Sequence, residues 1–286
     1  MGFISDLLGY VLNFIYNWVE NYGLAIILFS VILQIILLPF SIKQQKSMRK
    51  SAKIQGEVQK LQVKYRNNPE LLNQEVMGLY KKEKISPFSG CLSSIIQIIL
   101  FLSVFYLISS PLTHMKKVGS TEEGAKKLET YTQEIKESGE AVSYPEIKII
   151  EDKAANDPDV YINMDFLGLN LSGIPMKNYK DIKVLIIPLL YVITTFINIK
   201  ISMNMTKKKS DKKEKKKEEN GEENSMEEQL ESMQQMTNSM NYMMPIFSIC
   251  IAVIAPLGLS LYWLVKNILQ LIERFIIDKL MKKEEA

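Results

Sequence analysis

Apolar residues in this chain gather into long runs, with Lys and Glu filling the stretches between them. Four runs stand out: Gly23 to Phe40, Ser89 to Ile108, Val184 to Ile201, and Met243 to Leu271. A membrane-crossing helix needs about 20 mostly apolar residues to span about 30 Å of hydrocarbon, and each of the first three runs fits one crossing. The last is too long for one, and Pro256-Leu257-Gly258 interrupts it. Proline and glycine break helices, so this run is expected to form a hairpin of two crossings. The pattern predicts an all-α membrane protein with five transmembrane helices.

The same pattern divides the chain. In residues 1–21, Phe3, Ile4, Leu7, Leu8, Val11, Leu12 and Ile15 form an apolar stripe, which Asp6, Asn13, Asn17 and Glu20 interrupt. That suits a helix lying in the membrane interface, with Trp18 and Tyr22 at headgroup level. A signal peptide would show a basic start and a small-residue cleavage site, and neither is present. Residues 22–110 hold the first two crossings, joined by a loop over 42–86. Residues 111–181 form the next loop and 182–204 the third crossing. Residues 205–237 are a Lys- and Glu-rich linker, and 238–286 the last two crossings with a short tail.

Within 42–86, Ile54, Val58, Leu61 and Tyr65 recur at helical spacing. Asn68-Pro69-Glu70 supplies an N-cap, a proline at the first helical position and an early acid. Leu71, Leu72, Val76, Leu79 and Tyr80 give a second apolar face, so this loop is expected to be a helical hairpin. Ser86-Pro87 reads as the start of the next helix. A further exposed helix is expected near Glu122 to Glu137, and Phe166 to Leu171 as an apolar strip on the membrane surface.

Charge orients these elements. Loop 42–86 carries eleven Lys and Arg against Glu57, Glu70, Glu75 and Glu83, whereas 111–181 is acidic on balance. The positive-inside rule makes the first loop cytoplasmic and the second external, with the N-terminus outside and the C-terminus inside. Lys279, Lys282 and Lys283 in the tail agree. Over the whole 286 residues the net charge is only +3, too small to suggest a nucleic-acid partner. The two cysteines, Cys91 and Cys250, form no motif, and the single histidine, His114, reads as an exposed loop residue. A histidine-based metal site or catalytic triad therefore lacks its usual material.

The apolar runs also carry polar stripes. Tyr191, Thr194, Thr195, Asn198 and Ser202 share one side of the third crossing, as Trp263, Lys266, Asn267, Gln270 and Arg274 do in the fifth. The first crossing adds Ser30 and Gln34, the second Ser94 and Gln97, the fourth Asn241 and Ser248. Polar groups facing lipid are costly, so these faces should point inward. Taken singly, each could be hydrogen-bonding glue between helices. Together, with a lysine and two glutamines among them, they favour a hydrated cavity.

Three stretches then resemble the YidC/Oxa/Alb family of membrane protein insertases. They are QIILLPFSIKQQKSMR from Gln34 to Arg49, the stretch from Pro69 to Cys91 that contains LNQEVMGLYKKEKISPFSGC and is followed by Gln97, and MMPIFSICIAVIAPLGLSLYWLVKN from Met243 to Asn267. The last contains the family's LYW element as Leu261-Tyr262-Trp263. The resemblance implies five helices around a hydrophilic groove, open to the cytoplasm and sideways to lipid, in a bacterial plasma membrane. A hydrophilic client segment enters the groove transiently while the client's apolar segment moves into the bilayer. Client contacts would come from Gln34, Gln97, Thr195, Asn198, Tyr262, Trp263, Lys266, Asn267 and Gln270. Nascent membrane proteins and the lipid bilayer are the implied partners, a Sec translocon and the ribosome are further candidates, and no cofactor or catalysed bond change is implied.

The chain departs from the family pattern at two places. Counting back five residues from Pro39, the family's arginine is replaced by Gln34, and Lys266 stands where a small residue is usual. At 1.5 Å per residue, Gln34 lies about 18 Å along its helix from Tyr22, and Lys266 about 12 Å from Gly258. These departures suggest that the groove cation has moved from the first crossing to the fifth. They also leave open a specialised or partner-dependent relative with weakened electrostatic capture. A small-solute transporter is a rival class, but internal repeats are absent from the sequence and its clearest break, at Pro256, falls at a membrane surface. An intramembrane enzyme would need mid-span carboxylates or a nucleophile with a base, and none is seen.

Overall fold

The structure is a computed structural model that describes residues 2–65, 68–83, 89–139, 142–207 and 246–284. The helices are α1 (Gly2–Val19), α2 (Tyr22–Lys64), α3 (Pro69–Lys82), α4 (Ser89–Ser109), α5 (Pro111–His114), α6 (Glu122–Glu137), α7 (Pro145–Lys153), α8 (Ile182–Lys207), α9 (246–254) and α10 (Leu257–Glu284). A two-stranded antiparallel hairpin, β1 (Asp165–Phe166) and β2 (Leu169–Asn170), pairs Asp165 with Asn170 and Phe166 with Leu169. The apolar strip expected over Phe166 to Leu171 is thus partly a β-hairpin. Leu167 and Gly168 turn it with φ of 55° and 76°. Glycine takes that conformation without strain, whereas the leucine adopts it at a cost.

By length and composition, Tyr22–Ser47 and Ile182–Ile201 are long and apolar enough to cross a membrane, and Ile95–Ser109 is a shorter apolar helix. Large apolar side chains stand exposed along these helices and α10, among them Ile35 at 64%, Leu189 at 58% and Phe275 at 70%. A soluble monomer rarely exposes so many together, whereas a lipid-facing surface calls for them. The helix begun at Tyr22 does not end at Phe40, as expected, but continues through Pro39 to Lys64. Proline removes one backbone hydrogen bond, yet the Lys-, Gln- and Arg-rich stretch beyond it favours helix and carries the element on.

The chain forms two compact units. The first comprises 1–36, 97–195 and 247–286. Its segment 163–176 laces three elements together. Tyr22 N donates to Asn163 O (3.0 Å), Leu257 N to Gly173 O (2.9 Å), Gly258 N to Leu171 O (3.0 Å), and Met176 N to Val253 O (3.0 Å). Asn21 Oδ1 caps α2 by accepting from Leu24 N, while its Nδ2 donates to Asp165 O (2.7 Å). A Cβ at Gly23 would lie 2.4 Å from the Phe166 ring, so only glycine permits that approach. The buried apolar residues here include Ile26, Phe29, Leu107, Leu112, Ile149, Leu171, Leu257 and Leu259.

α1 packs through Ser5, Gly9, Leu12, Ile15 and Tyr16. Its opposite face leaves Phe3, Leu7, Tyr10, Phe14 and Trp18 exposed. The helix is therefore apolar on two sides, where the sequence suggested a single stripe. His114 is not the exposed loop residue expected. It closes α5 with its side chain only 15% exposed, and its Nδ1 lies 2.8 Å from Asp6 Oδ1 on α1. Lys117 Nζ approaches the same carboxylate at 3.3 Å.

The insert after α5 is internally braced. Thr121 caps α6 by accepting from Gly124 N. Lys127 pairs with Asp157 and Asp159, Tyr131 donates to Asp157 (3.0 Å), and Lys153 pairs with Glu134.

The second unit comprises 37–96 and 196–246. In it, Ile54 and Val58 of α2 bury against Leu72 and Val76 of α3, with Leu61, Tyr65, Leu79 and Tyr80 around them. Asn68 Oδ1 accepts from Leu71 N (3.2 Å), with Pro69 at the first helical position. Leu71, read as part of the apolar face, is 41% exposed instead.

Candidate functional site

The polar face of α10 organises the site. Trp263, Lys266, Gln270 and Glu273 follow at helical spacing, so they share one side, with Asn267 and Arg274 beside them. Near its start, the Trp263 ring stacks on Phe101 of α4, with centroids 5.3 Å apart and planes 3° from parallel. Tyr191 of α8 leans on the other contact of the same indole at 5.7 Å. Tyr262, 3% exposed, packs toward Phe29 of α2 with centroids 6.4 Å apart. These aromatic contacts tie α2, α4, α8 and α10 together without polar groups.

One turn on, Asn267 Nδ2 donates to Thr195 Oγ1 at 2.7 Å and lies 3.4 Å from Thr194 Oγ1. Both threonine hydroxyls in turn donate to Tyr191 O, at 2.8 Å from Thr195 and 2.9 Å from Thr194. Tyr191 Oη and Ser248 Oγ are 2.5 Å apart, which links α8 to α9. Buried hydroxyls and amides are costly unless hydrogen-bonded, and this chain of contacts satisfies them across three helices. Farther along α10, Gln34 Nε2 donates to Glu273 Oε2, joining α2 to α10. Glu273 is only 6% exposed.

The nine predicted residues therefore separate into groups. Gln34, Thr195, Tyr262, Trp263 and Asn267 take part in contacts between helices. Lys266 and Gln270 share the polar face and are half-buried. Lys266 has no ion pair or hydrogen bond among the described residues. Gln97 is exposed on α4 and does not join the network. Asn198 is buried at 8% and belongs to the second unit. Ser30 turns back on its own helix, donating to Ile26 O. The side chains of Ser94, Ser202 and Asn241, and the whole of Ser86-Pro87, lie outside the described residues.

Three participants were among neither the expected site residues nor the polar stripes: Glu273, Phe101 and Phe29. Glu273 follows Lys266 by seven residues, two turns on the same face, and that spacing is the one local signal for it. Phe101 sits in a uniformly apolar run and gives no such sign. Among the described residues, no cluster of three His, Cys, Asp or Glu side chains is arranged to hold a metal ion.

A helical chain with lipid-exposed apolar surfaces and hydrogen-bonded polar faces between its helices defines a class of integral membrane protein. The sequence pattern of the 60Kd inner membrane protein family matches residues 14–284, and the chain belongs to that family, the one that includes the YidC/Oxa proteins. It is similar to a membrane protein insertase YidC of Caldanaerobacter subterraneus subsp. tengcongensis, with 30% identity over 276 residues, 96% of this chain and 94% of that protein. It is also similar to the membrane protein insertase YidC of Francisella tularensis subsp. novicida and of F. tularensis subsp. tularensis, each 38% identical over 108 residues. That match covers 38% of this chain and 20% of those longer proteins.

Proposed function

We propose that the protein is an insertase that takes hydrophilic client segments transiently into a polar intramembrane groove and releases apolar segments into the bilayer. The observation that carries this reading is the row of polar residues on α10, hydrogen-bonded to α2 and α8 inside surfaces that are otherwise apolar. The near full-length similarity to an insertase supports it independently. The crossings are assigned to α2, α4, α8, α9 and α10. The loop that holds α3 faces the cytoplasm, and the insert that holds α6 and α7 faces outside. α1 lies in the outer interface through Phe3, Tyr10, Phe14 and Trp18.

A polar lining shortens the hydrocarbon path that a client's hydrophilic segment must cross, which lowers the cost of moving it. Trp263, Asn267, Thr195 and Gln270 line that path, and Lys266 supplies its cation. A half-buried ammonium with no partner among the described residues is poised to receive a client carboxylate. The insertase reading is tested with the purified protein in proteoliposomes, scoring protease protection of a small single-span client. Protection above that of empty liposomes is expected, and none would overturn the reading. Lys266→Gln should reduce insertion of an acidic-tailed client about tenfold, as expected for loss of one desolvated charge contact. An unchanged yield would remove Lys266 from this role.

A further inference from the structure

The loop 111–181 is acidic on balance, yet its junction with α8 is basic. Met176 to Lys183 holds Lys177, Lys180 and Lys183 against a single acid, Asp181. Asp181 is occupied as a cap, since its Oδ1 accepts from Lys183 N at 3.0 Å at the start of α8. All three lysines are exposed, and none has an ion pair among the described residues. Apolar side chains interleave with them: Met176 is 64% exposed, Tyr179 63% and Ile182 78%. Neither water nor hydrocarbon alone suits such a segment. A membrane–water interface takes both halves, the apolar groups inward and the ammoniums outward.

The position of the segment fits that division. Ile182, Ile186, Leu189 and Ile193 follow at spacings of four, three and four, so they share one face of α8, and all are exposed. Ile187, Tyr191 and Thr195 are buried on the opposite face. Ile182 thus heads the surface assigned to lipid, and the basic segment continues that surface past the end of the crossing. The segment is also held in place. Met176 N donates to Val253 O (3.0 Å) on α9. Turns are closed by Lys177 N to Ile174 O (3.0 Å), Asp181 N to Asn178 O (3.0 Å) and Val184 N to Asp181 O (3.1 Å). A ligand that docks there meets a backbone already ordered, which keeps the entropic cost of binding low.

We propose that Met176 to Lys183 is a docking site for anionic phospholipid in the leaflet at the start of α8, the outer leaflet on the proposed topology. The inference rests on α8 crossing the bilayer, as assigned above. Lys177, Lys180 and Lys183 receive the headgroup phosphates, and Met176, Tyr179 and Ile182 pack against the upper acyl chains. The positive-inside rule disfavours lysines beside the external end of a crossing, so three of them here call for a compensating partner. A phosphatidylglycerol headgroup supplies it, because no amine cancels its charge as in phosphatidylcholine. Each lysine next to an anionic surface adds to the attraction.

The experiment reconstitutes the full chain, carrying Cys91→Ser and Cys250→Ser, in phosphatidylcholine vesicles with a minor share of phosphatidylglycerol. A bimane fluorophore is attached at Asn178→Cys, exposed and outside the proposed contacts, or at Leu189→Cys on the lipid face. Quenching by acyl-brominated phosphatidylglycerol is compared with quenching by acyl-brominated phosphatidylcholine at equal mole fraction. At 178, phosphatidylglycerol should quench as if enriched about threefold over its bulk share. At 189 the two lipids should quench alike. Lys177→Gln, Lys180→Gln and Lys183→Gln together should remove the preference at 178, and high salt should weaken it. Lys177→Arg, Lys180→Arg and Lys183→Arg together should keep it. If neither lipid quenches at 189, the assignment of α8 as a crossing falls, and the site with it. If 189 is quenched but the two lipids quench equally at 178, the lipid site alone is overturned. A preference that survives the glutamine variant overturns the role of the lysines. Quenching at 178 by neither lipid would mean that protein covers the segment, which also overturns the proposal.

Discussion

Asp6 and Glu146 both meet the short helix α5, and their surroundings push them in opposite directions. The hydrogen bond with His114 is the largest influence on Asp6. Together with Lys117 it outweighs partial desolvation and holds the carboxyl below its ordinary 3.8. Glu146 is raised, because burial outweighs the hydrogen bonds that it accepts from Thr113 and from the backbone N–H of Leu112 and Thr113. A carboxyl depressed in the folded state stabilises that state above its unfolded value and loses the contribution as pH falls through the depressed value. A raised carboxyl does the reverse, favouring the folded state below its unfolded value and losing that as pH rises through the folded one. Thermal unfolding in detergent should therefore show Asp6→Asn less stable than wild type near pH 5, with the gap closing as pH falls well below 3.8. A gap that stays constant down to about pH 2 would show that the charge of Asp6 contributes nothing.

At the scale of elements, the α2–α3 pairing gives the cleanest contrast between neighbours. Leu72 is 5% exposed against Ile54, Val58 and Val76, while Leu71 beside it is 41% exposed. Leu72→Ala should destabilise the hairpin by about 2–3 kcal/mol, as core truncations do, and Leu71→Ala by about 0.5 kcal/mol or less. Hydrogen exchange of the α3 amides checks both, and equal effects would mean that these helices do not bury Leu72 selectively. The start of α3 was legible in Asn68-Pro69-Glu70 because capping acts within one turn. So was α6, whose Thr121 cap and helix-favouring residues are adjacent in sequence. The hairpin at 165–170 was not. It depends on Phe166 packing over Gly23 and on Asn21 reaching Asp165, contacts that no local pattern announces.

For the whole molecule, the charge asymmetry of the loops is the ground for the proposed topology, and labelling can test it. In a background carrying Cys91→Ser and Cys250→Ser, Glu129→Cys on α6 should react with an impermeant maleimide added to intact cells. Lys60→Cys on α2 should react only after lysis. Both positions are solvent-exposed, so failure of access cannot be put down to burial. The opposite labelling pattern would invert the proposed orientation.

The starts of α3 and α6, the pairing faces of α2 and α3 apart from Leu71, and most of the polar stripe on α10 followed from sequence alone, because each is set by residues within a few turns of one another. Lys266, Asn267 and Gln270 could be placed on one side by spacing, whatever packs against it. What spacing could not supply was the partner of each group. Gln34 meets Glu273 across 239 residues, His114 meets Asp6 across 108, and Asn267 meets Thr195 across 72. Gln97, polar and well placed in its run, was left exposed instead. A hydrogen bond or ion pair between distant segments depends on how helices pack, and periodicity within one helix carries no record of its neighbour. The sequence therefore determined which residues line up, and the tertiary structure decided which of them meet.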